Sequence, residues 1–389
     1  MSFLTRDIQN EMLDMANSYP IVTVLGPRQS GKTTLVRHLF QDKPYVSLEN
    51  PDDRAFAESD PRAFLGTYPN GAILDEIQQL PILLSYLQGI VDNQITKGLF
   101  ILTGSHQHEL HKSVSQSLAG RTAILTLLPL SLSELPPDCQ AQELDYYIYH
   151  GMYPRIYNDA LDPTKFYRNY LQTYIERDVR RMVNIKDLAL FQRFFKLCAS
   201  RIGQLFNASS ISNELGVSSH TIQQWLSILE ASFVIYRLQP YFENFGKRIT
   251  KSPKLYFTDV GLATYCLGIQ NQAQVARDPL RGNLAENFVI SEFIKQRMNQ
   301  GLEPHCYFYR DSNGHEVDLL IKHANELIPV EIKSSKTFHP EFLKGLYYFK
   351  EIAGERCNKG FLIYAGEREQ QIQDFFVKQF KHINEIDIS

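Results

Sequence analysis

The spacing of apolar positions changes along the chain and predicts regions of different architecture. A short apolar run at residues 20–25, PIVTVL, is followed by a glycine-containing loop and then by apolar positions at helical spacing. Such a β-branched run is typical of a buried strand, and the spacing after it of an amphipathic helix. Strand-like runs recur at residues 71–78 and 98–107, which favours a parallel sheet with helices between its strands.

The pattern changes further along the chain. Residues 164–203 are apolar at helical spacing, and residues 208–230 contain two such segments separated by Gly216. Near the C-terminus, residues 316–321 and 327–333 are strand-like and are joined by a short turn-like segment. These patterns predict a helical middle region and a C-terminal hairpin.

Composition narrows the class of protein. The 389 residues are 43% hydrophobic and 21% charged, as in soluble globular proteins, and the net charge is −3. The five cysteines are far apart, so neither a disulfide framework nor a zinc site is expected, and a cytoplasmic location is predicted. The N-terminal stretch does not resemble a signal peptide, and no apolar run approaches the roughly 20 residues that span a bilayer.

The loop GPRQSGKT, placed between the first strand and helix, has the pattern of a phosphate-binding P-loop. Gly26 and Gly31 let the backbone turn its N–H groups toward phosphate, and Lys32 reaches the phosphate oxygens. The Thr33 hydroxyl is placed to bind Mg²⁺. The predicted ATP-binding residues are Gly26, Pro27, Arg28, Gln29, Ser30, Gly31, Lys32, Thr33 and Thr34.

The next two strand-like runs supply candidate catalytic groups. GAILDEIQ ends in Asp75 and Glu76, which predicts a Walker B pair in which Asp75 holds Mg²⁺ and Glu76 polarises the attacking water. The following run ends in Thr103 and Ser105, and parallel strands collect ligands at their carboxyl ends. Either hydroxyl is a candidate sensor of the γ-phosphate, although Ser105 is equally suited to begin a helix.

Arg121 precedes another strand in SLAGRTAILTLLPLS. An arginine near a P-loop often stabilises the transferred phosphoryl group, either within its own subunit or from a neighbour. A structural salt bridge is the alternative role.

GPRQSGKTTL, ILDEIQQLP, LTGSH, SLAGR and PLSLSEL occur in this order and resemble a family of bacterial and archaeal AAA+-type ATPases with a second domain of unknown function. The segments YYIYHGMYPRIY and YLQTYIERDV also resemble that family, with Met152 where it usually has Gly and His106 where Ser is common. The resemblance implies an oligomeric ATPase that uses ATP and Mg²⁺.

The predicted fold class is α/β, with a P-loop parallel-sheet ATPase domain at residues 1–145. A helical and winged-helix domain is predicted at 146–268, and a nuclease-like α/β domain at 269–389.

The segment 208–230 fits a helix-turn-helix. Ser209 or Ser210 is expected to cap the first helix and Ser218 the second. The exposed candidates for groove contacts are Ser219, His220 and Gln223. A two-stranded wing follows, whose cations Lys247, Arg248, Lys251 and Lys254 suit phosphate contacts.

Charge supports a nucleic-acid partner for this middle region. Residues 165–254 hold 14 Lys and Arg against 6 Asp and Glu in an otherwise acidic chain. DNA binding is therefore predicted, with a winged helix that serves as an interdomain or oligomerisation module as the alternative.

The C-terminal hairpin brings carboxylates together. A two-residue turn at Ala324 and Asn325 places Asp318 opposite Glu331, with Lys333 on the same face. Opposite Cβ atoms in such a pair are about 4.5–5.5 Å apart, so two carboxylates there would need a cation such as Mg²⁺.

The pattern D-x(12)-E-x-K resembles the PD-(D/E)xK nuclease superfamily, in whose resolvase-like members an upstream helical Glu completes the metal site. Glu286 matches that position. The resemblance implies a nuclease-like site made of Glu286, Asp318, Glu331 and Lys333, with the three carboxylates as metal ligands. A fold of this kind that serves as a DNA clamp or brace, without cleavage, remains an equal possibility.

Two functions follow. The first is an ATP-hydrolysing protein that acts on DNA, as a homo-oligomer and without a membrane partner. The second is a nucleotide-dependent switch or scaffold whose later domains serve protein interaction and oligomerisation. A small-molecule kinase is less favoured because the sequence shows no acceptor-substrate site.

Overall fold

The computed structural model describes residues 3–94, 96–105, 117–174, 188–242 and 250–387. The helices are α1 Gln9–Ser18, α2 Lys32–Leu39, α3 Pro51–Ser59, α4 Pro61–Gly66, α5 Leu83–Asn93, α6 Pro137–Gln140, α7 Leu144–His150, α8 Pro154–Asn158, α9 Pro163–Tyr174, α10 Leu188–Ser200, α11 Ala208–Leu215, α12 Ser219–Ala231, α13 Val260–Cys266, α14 Gln272–Val275, α15 Arg281–Met298 and α16 Lys344–Ala353. The strands are β1 Ile21–Leu25, β2 Tyr45–Ser47, β3 Ile73–Asp75, β4 Phe100–Gly104, β5 Thr122–Thr126, β6 Ile235–Pro240, β7 Lys254–Phe257, β8 Cys306–Arg310, β9 Glu316–His323, β10 Glu326–Lys333, β11 Gly360–Tyr364, β12 Gln370–Ile372 and β13 Phe375–Gln379.

The N-terminal region is a five-stranded parallel sheet in the order β2-β3-β4-β1-β5. All five residues of β1 are buried. Its side chains alternate between the two faces of the sheet, so Val22 and Val24 pack with α1 and α2, while Ile21 and Leu25 join the core that includes α5. Because helices cover both faces of the sheet, all of β1 is buried and every residue but Thr23 is apolar, and the predicted α/β fold is confirmed.

Helices fill the middle region and pack around a tight turn at Gly151. This residue has a φ of 65°, and a Cβ there would lie 1.9 Å from the Tyr167 hydroxyl. The backbone N–H of Met152 donates to the buried carboxylate of Asp259 over 2.6 Å. The contact uses the main chain, so Met152 in place of the usual Gly leaves this turn intact.

The predicted helix-turn-helix elements are present as α11 and α12. Gly216 ends α11 in the left-handed conformation, and Ser218 caps α12 by accepting from Thr221 N. The first cap was predicted wrongly: Asn207, rather than Ser209 or Ser210, accepts the N–H of Ser210. Asparagine is as good an N-cap as serine, so residue type alone did not decide which of these neighbouring polar residues caps the helix. The apolar side chains of the two helices are buried at Ile211, Leu215, Ile222, Trp225, Leu226 and Leu229.

The C-terminal region contains a mixed eight-stranded sheet in the order β12-β13-β11-β10-β9-β8-β6-β7. The hairpin register is as predicted: Glu326 pairs with His323 and Val330 with Leu319. Ala324, in the turn, has a φ of 48°.

Strands β6 and β7, predicted as a separate wing, belong to this same sheet because β6 pairs in parallel with β8. The predicted domain division at residue 268 therefore divides a continuous sheet and stays a prediction. Among the described residues, no helix is both long and apolar enough to cross a membrane.

Candidate functional site

The P-loop joins the end of β1 to the start of α2. Gly26 has a φ of 151°, and a Cβ there would lie 2.1 Å from the carbonyl oxygen of Leu127. Gly31 has a φ of 96° and precedes α2, whose first N–H groups have no partner within the helix. A side chain at Gly26 would push the loop away from β5, so glycine sets the curvature of the phosphate cradle.

Two polar groups in this loop are arranged for an anion. The Oγ of Ser30 is buried and has no hydrogen-bond partner in the part of the chain that the structure describes. Lys32 is buried, and its Nζ donates to the carbonyl oxygens of Gly26 and Pro27 over 2.9 and 2.8 Å. Burial lowers the pKa of Lys32 to about 8, against the opposing effect of Glu76 and Asp75. The loop carbonyls offer Lys32 only partial negative charges, and a bound triphosphate would supply full ones.

Asp75 ends β3 and receives three hydroxyl groups. Thr33 Oγ1 lies 3.1 and 3.2 Å from its two carboxylate oxygens, and the Tyr45 hydroxyl donates to it over 2.7 Å. Thr103, from β4, donates to the same carboxylate. The predicted meeting of β3 and β4 at this edge of the sheet is thus observed, whereas Tyr45 was missed because nothing local in its sequence marks it.

These residues fit a magnesium ion. Thr33 and Asp75 come from different elements and bring oxygen atoms within hydrogen-bond distance of each other. Hydroxyl and carboxylate oxygens are suitable ligands for Mg²⁺ in a P-loop protein.

Glu76 follows Asp75 in the left-handed conformation, with a φ of 56° and a ψ of 48°. Ser105 Oγ donates to its Oε2 over 2.9 Å, and the side-chain amide of Gln78 donates to the same oxygen. Burial raises the pKa of Glu76, but Lys32, Arg28 and these hydrogen bonds outweigh burial and hold the pKa below its usual value. The carboxylate is therefore a charged acceptor in a fixed orientation.

A cavity of about 770 Å³ lies beside the P-loop, within the size range of small-ligand pockets. Gln29, Lys32, Thr33, Thr34 and Glu76 line one side. Residues from the N-terminal segment, α8 and α9 also line the cavity, among them Phe3, Arg6, Pro154, Arg155 and Tyr170. The helical region thus completes the cavity wall.

The two arginines near the ATPase sheet differ in position. Arg121 precedes β5, and its backbone accepts from Ile21 N at the start of β1, about 13 Å along that strand from the P-loop end. Its side chain bonds Asp92 over 2.5 Å. Arg121 is therefore too far from the P-loop of its own subunit to stabilise a phosphoryl group there, and a role from a neighbouring subunit stays a prediction. Arg155 lines the cavity and was not predicted. Its only local signal is its position directly after Tyr153-Pro154.

Ser219, His220 and Gln223 are exposed on α12, and Lys251 is exposed ahead of β7. Lys247 and Arg248 lie outside the described residues. Lys254, predicted as a wing cation, is buried instead, with 3% of its surface exposed. The prediction of four solvent-facing wing cations is therefore wrong at this position.

Four carboxylates gather near the start of α15 and on the hairpin: Glu286, Glu316, Asp318 and Glu331, here named the carboxylate cluster. Burial raises the pKa of Glu286 to about 7, against the opposing charge of Lys254. Burial and the neighbouring Asp318 raise the pKa of Glu331 to about 8. Lys333 Nζ lies 2.5 Å from Glu331 Oε1 and 3.8 Å from Asp318 Oδ2. The predicted group is thus brought together.

Two of the three predicted metal ligands are already engaged. Glu286 Oε1 accepts from Lys254 Nζ over 2.8 Å and from the Tyr256 hydroxyl, and Asp318 Oδ2 accepts from Ile332 N over 2.8 Å. Within the described ranges, no three acidic, His or Cys side chains are grouped so as to hold a metal ion. The side-chain arrangement does not fit a divalent ion, because the Lys254 ammonium already binds Glu286, one of the three predicted ligands.

Comparisons with known proteins match three segments of the chain. A family described as AAA domain matches residues 18–136, and two domains of unknown function (DUF8612 and DUF4143) match 141–273 and 281–384. An uncharacterized protein of Haemophilus influenzae is 27% identical over 248 residues, 60% of this chain and 58% of that protein. The Walker-type ATPase of Pyrococcus abyssi is 15% identical in sequence, with a TM-score of 0.47 over 68% of this chain and 96% of that one.

An uncharacterized protein of Mycobacterium tuberculosis is 30% identical over 335 residues, which cover 85% of this chain and 74% of the relative. The chain therefore belongs to the same family as this mycobacterial protein, a family of P-loop proteins with an AAA domain.

Proposed function

We propose that this protein hydrolyses ATP with Mg²⁺ and couples hydrolysis to binding of DNA. In this proposal Lys32 contacts the phosphates, Thr33 and Asp75 hold the ion, and Glu76 orients the attacking water. The ion, when bound, neutralises charge on the phosphate oxygens. Ser105 is a positioning residue that holds Glu76.

The orientation of Glu76 carries the proposal. Its carboxylate lines the same cavity as Lys32 and Thr33, and Ser105 and Gln78 both donate to one oxygen. Within the described residues no hydrogen bond reaches the other oxygen, Oε1, which can accept from a water molecule. A left-handed conformation at a residue other than glycine is costly, and such strain is concentrated at functional sites.

The proposal that the protein binds DNA rests on the exposed start of α12. Ser219, His220 and Gln223 are exposed where a recognition helix would meet base edges, while the apolar face of the helix is buried. Lys251 is exposed nearby and suits a phosphate contact. Cleavage of DNA is not included, because the carboxylate cluster does not fit a metal.

The test is ATP turnover with and without duplex, single-stranded and branched DNA. Lys32→Ala and Glu76→Gln are expected to lower turnover by roughly 10²-fold or more, with Glu76→Gln retaining ATP binding. Lys97→Ala, an exposed lysine of the same domain, is the control. Turnover that survives both changes would refute hydrolysis at this site.

DNA coupling has a separate readout. DNA is expected to raise turnover, and its affinity is expected to fall steeply with salt because phosphate contacts release counterions. A double change, His220→Ala with Gln223→Ala, should weaken DNA binding without affecting turnover in the absence of DNA. If DNA leaves turnover unchanged at low salt, the switch alternative is favoured.

A nucleotide-dependent switch or scaffold, assembled as a cytoplasmic homo-oligomer, is the second candidate. It is favoured by a buried polar path from the P-loop to α15. Arg6 donates to the Ser30 carbonyl over 2.7 Å and bonds Glu134 over 3.0 Å, and Glu292 accepts from Leu132 N two residues before Glu134. Sedimentation with ATP, with ADP and without nucleotide distinguishes the candidates, since only the switch requires a nucleotide-dependent change in assembly.

A further inference from the structure

The carboxylate cluster contains a cation that the chain itself supplies. Lys254 begins β7, a strand of the middle region, yet its side chain lies among carboxylates of the C-terminal region. Its Nζ lies 2.8 Å from Glu286 Oε1 and 2.5 Å from Glu316 Oε1. Only 4% of the lysine side chain is exposed, so water does not replace these contacts.

The two lysines of the cluster divide its carboxylates between them. Lys254 contacts Glu286 and Glu316, and Lys333 contacts Glu331 and, at a longer distance, Asp318. Arg310 adds a third cation at 3.3 Å from Glu316. The mutual repulsion of four close carboxylates is thus offset largely by side chains.

Among the described residues, one buried oxygen of the cluster is left without a hydrogen-bond partner. Glu331 Oε2 is buried and makes no hydrogen bond to any part of the chain that the structure describes. It faces Gly345, where a Cβ would lie 3.2 Å away. Lys333 contacts only the other oxygen of the same carboxylate, so among the described residues Oε2 has no cation beside it.

We propose that Lys254 is the resident cation of the carboxylate cluster and excludes a divalent metal ion from it. A divalent ion bound to Glu286 Oε1 would lie against the Lys254 ammonium, which is 2.8 Å from that oxygen, and charges of like sign repel strongly at such a distance. The metal-free cluster then serves as a brace that ties β7 to α15 and β9. Withdrawal of the ammonium would leave a latent oxygen-ligand site for Mg²⁺ or Mn²⁺, made of Glu286, Asp318 and Glu331.

The inference does not depend on ATP hydrolysis, and its test uses Asp318→Asn to separate the carboxylate cluster from any ion that Thr33 and Asp75 hold. Full-length protein with Lys32→Ala is titrated with Mn²⁺, and bound ion is measured by electron paramagnetic resonance and calorimetry. Adding Asp318→Asn reports on the cluster alone. The expected result is that Mn²⁺ binding to the Lys32→Ala protein does not change when Asp318 is replaced.

Adding Lys254→Met to Lys32→Ala is expected to tighten Mn²⁺ binding by roughly tenfold or more, the size of effect seen when a residue next to a metal site is changed. Asp318→Asn should abolish this gain. Lys251→Met, which removes an exposed lysine of the same segment, and Lys254→Arg, which keeps the charge, should both behave like the parent.

Two outcomes would overturn the proposal. The first is Asp318-dependent Mn²⁺ binding while Lys254 is present. The second is a Lys254→Met protein that is folded by circular dichroism but gains no Mn²⁺ binding. If Lys254→Met does not fold, the titration of the protein that retains Lys254 still tests the proposal, because Asp318-dependent Mn²⁺ binding there would overturn it.

Discussion

Lys32 and Lys254 are both buried lysines beside acidic residues, but their partners differ in kind. Lys32 donates to two backbone carbonyl groups, and Lys254 contacts two carboxylates. Burial lowers the pKa of Lys32 to about 8, whereas at Lys254 the nearby Glu286, Asp318 and Glu316 outweigh burial and raise the pKa. Neutral partners leave Lys32 available to a ligand of high negative charge, and charged partners keep Lys254 in place.

We therefore expect Lys254 to contribute mainly to stability and Lys32 mainly to activity. The first expected effect, the largest, is on stability. Lys254→Ala should lower the free energy of unfolding by about 3–5 kcal/mol, the usual cost of leaving a buried carboxylate without its partner. Lys32→Ala should lower it by about 1 kcal/mol or less, because hydrogen bonds to carbonyl groups contribute little net stability.

Urea unfolding followed by circular dichroism measures both changes. Lys251→Ala is the control for an exposed lysine and is expected to stay within about 0.5 kcal/mol of the parent. Equal losses at Lys32 and Lys254 would remove the contrast between the two sites.

The second expected effect is on ATP turnover and ATP affinity when each of the two arginines is replaced. Arg155→Ala should lower ATP turnover by roughly tenfold, in line with the loss of one charged contact of about 1.4 kcal/mol, because Arg155 lines the nucleotide cavity. Arg121→Ala should leave ATP affinity unchanged, since its side chain pairs with Asp92 at the other end of the sheet. Nucleotide binding and steady-state turnover are measured for each variant.

Mixing the subunits tests the remaining role of Arg121. If Arg121 acts on a neighbour, Arg121→Ala protein regains activity when mixed with Lys32→Ala protein, which has the arginine but no functional P-loop. A loss of turnover in Arg121→Ala without any recovery on mixing would count against a contribution between subunits.

The smallest expected effect is at Ser105. Ser105→Ala removes one hydrogen bond to Glu76, which is worth about 0.5–1.5 kcal/mol, so turnover should fall by roughly threefold to tenfold while ATP affinity is kept. A fall in affinity with unchanged turnover would show that Ser105 contacts the nucleotide in its bound state instead.

The sequence by itself determined the features that depend on neighbouring residues. The P-loop, its strand and helix, the acidic pair at Asp75 and Glu76 and the hairpin register through Ala324 all follow from local spacing and turn chemistry. Such patterns are sufficient because backbone geometry fixes which side chains share a face over a few residues.

Only the tertiary structure decided which distant groups meet. Tyr45 reaches Asp75, Arg155 lines the nucleotide cavity, Arg121 lies at the far end of the sheet, and Lys254 enters the carboxylate cluster from another region. The sequence shows Lys254 as one more cation on a basic wing, because its local pattern is the same whether the side chain faces solvent or a carboxylate. The pairing of β6 with β8 settles this, since it joins the wing to the C-terminal sheet and brings Lys254 into contact with Glu286 and Glu316.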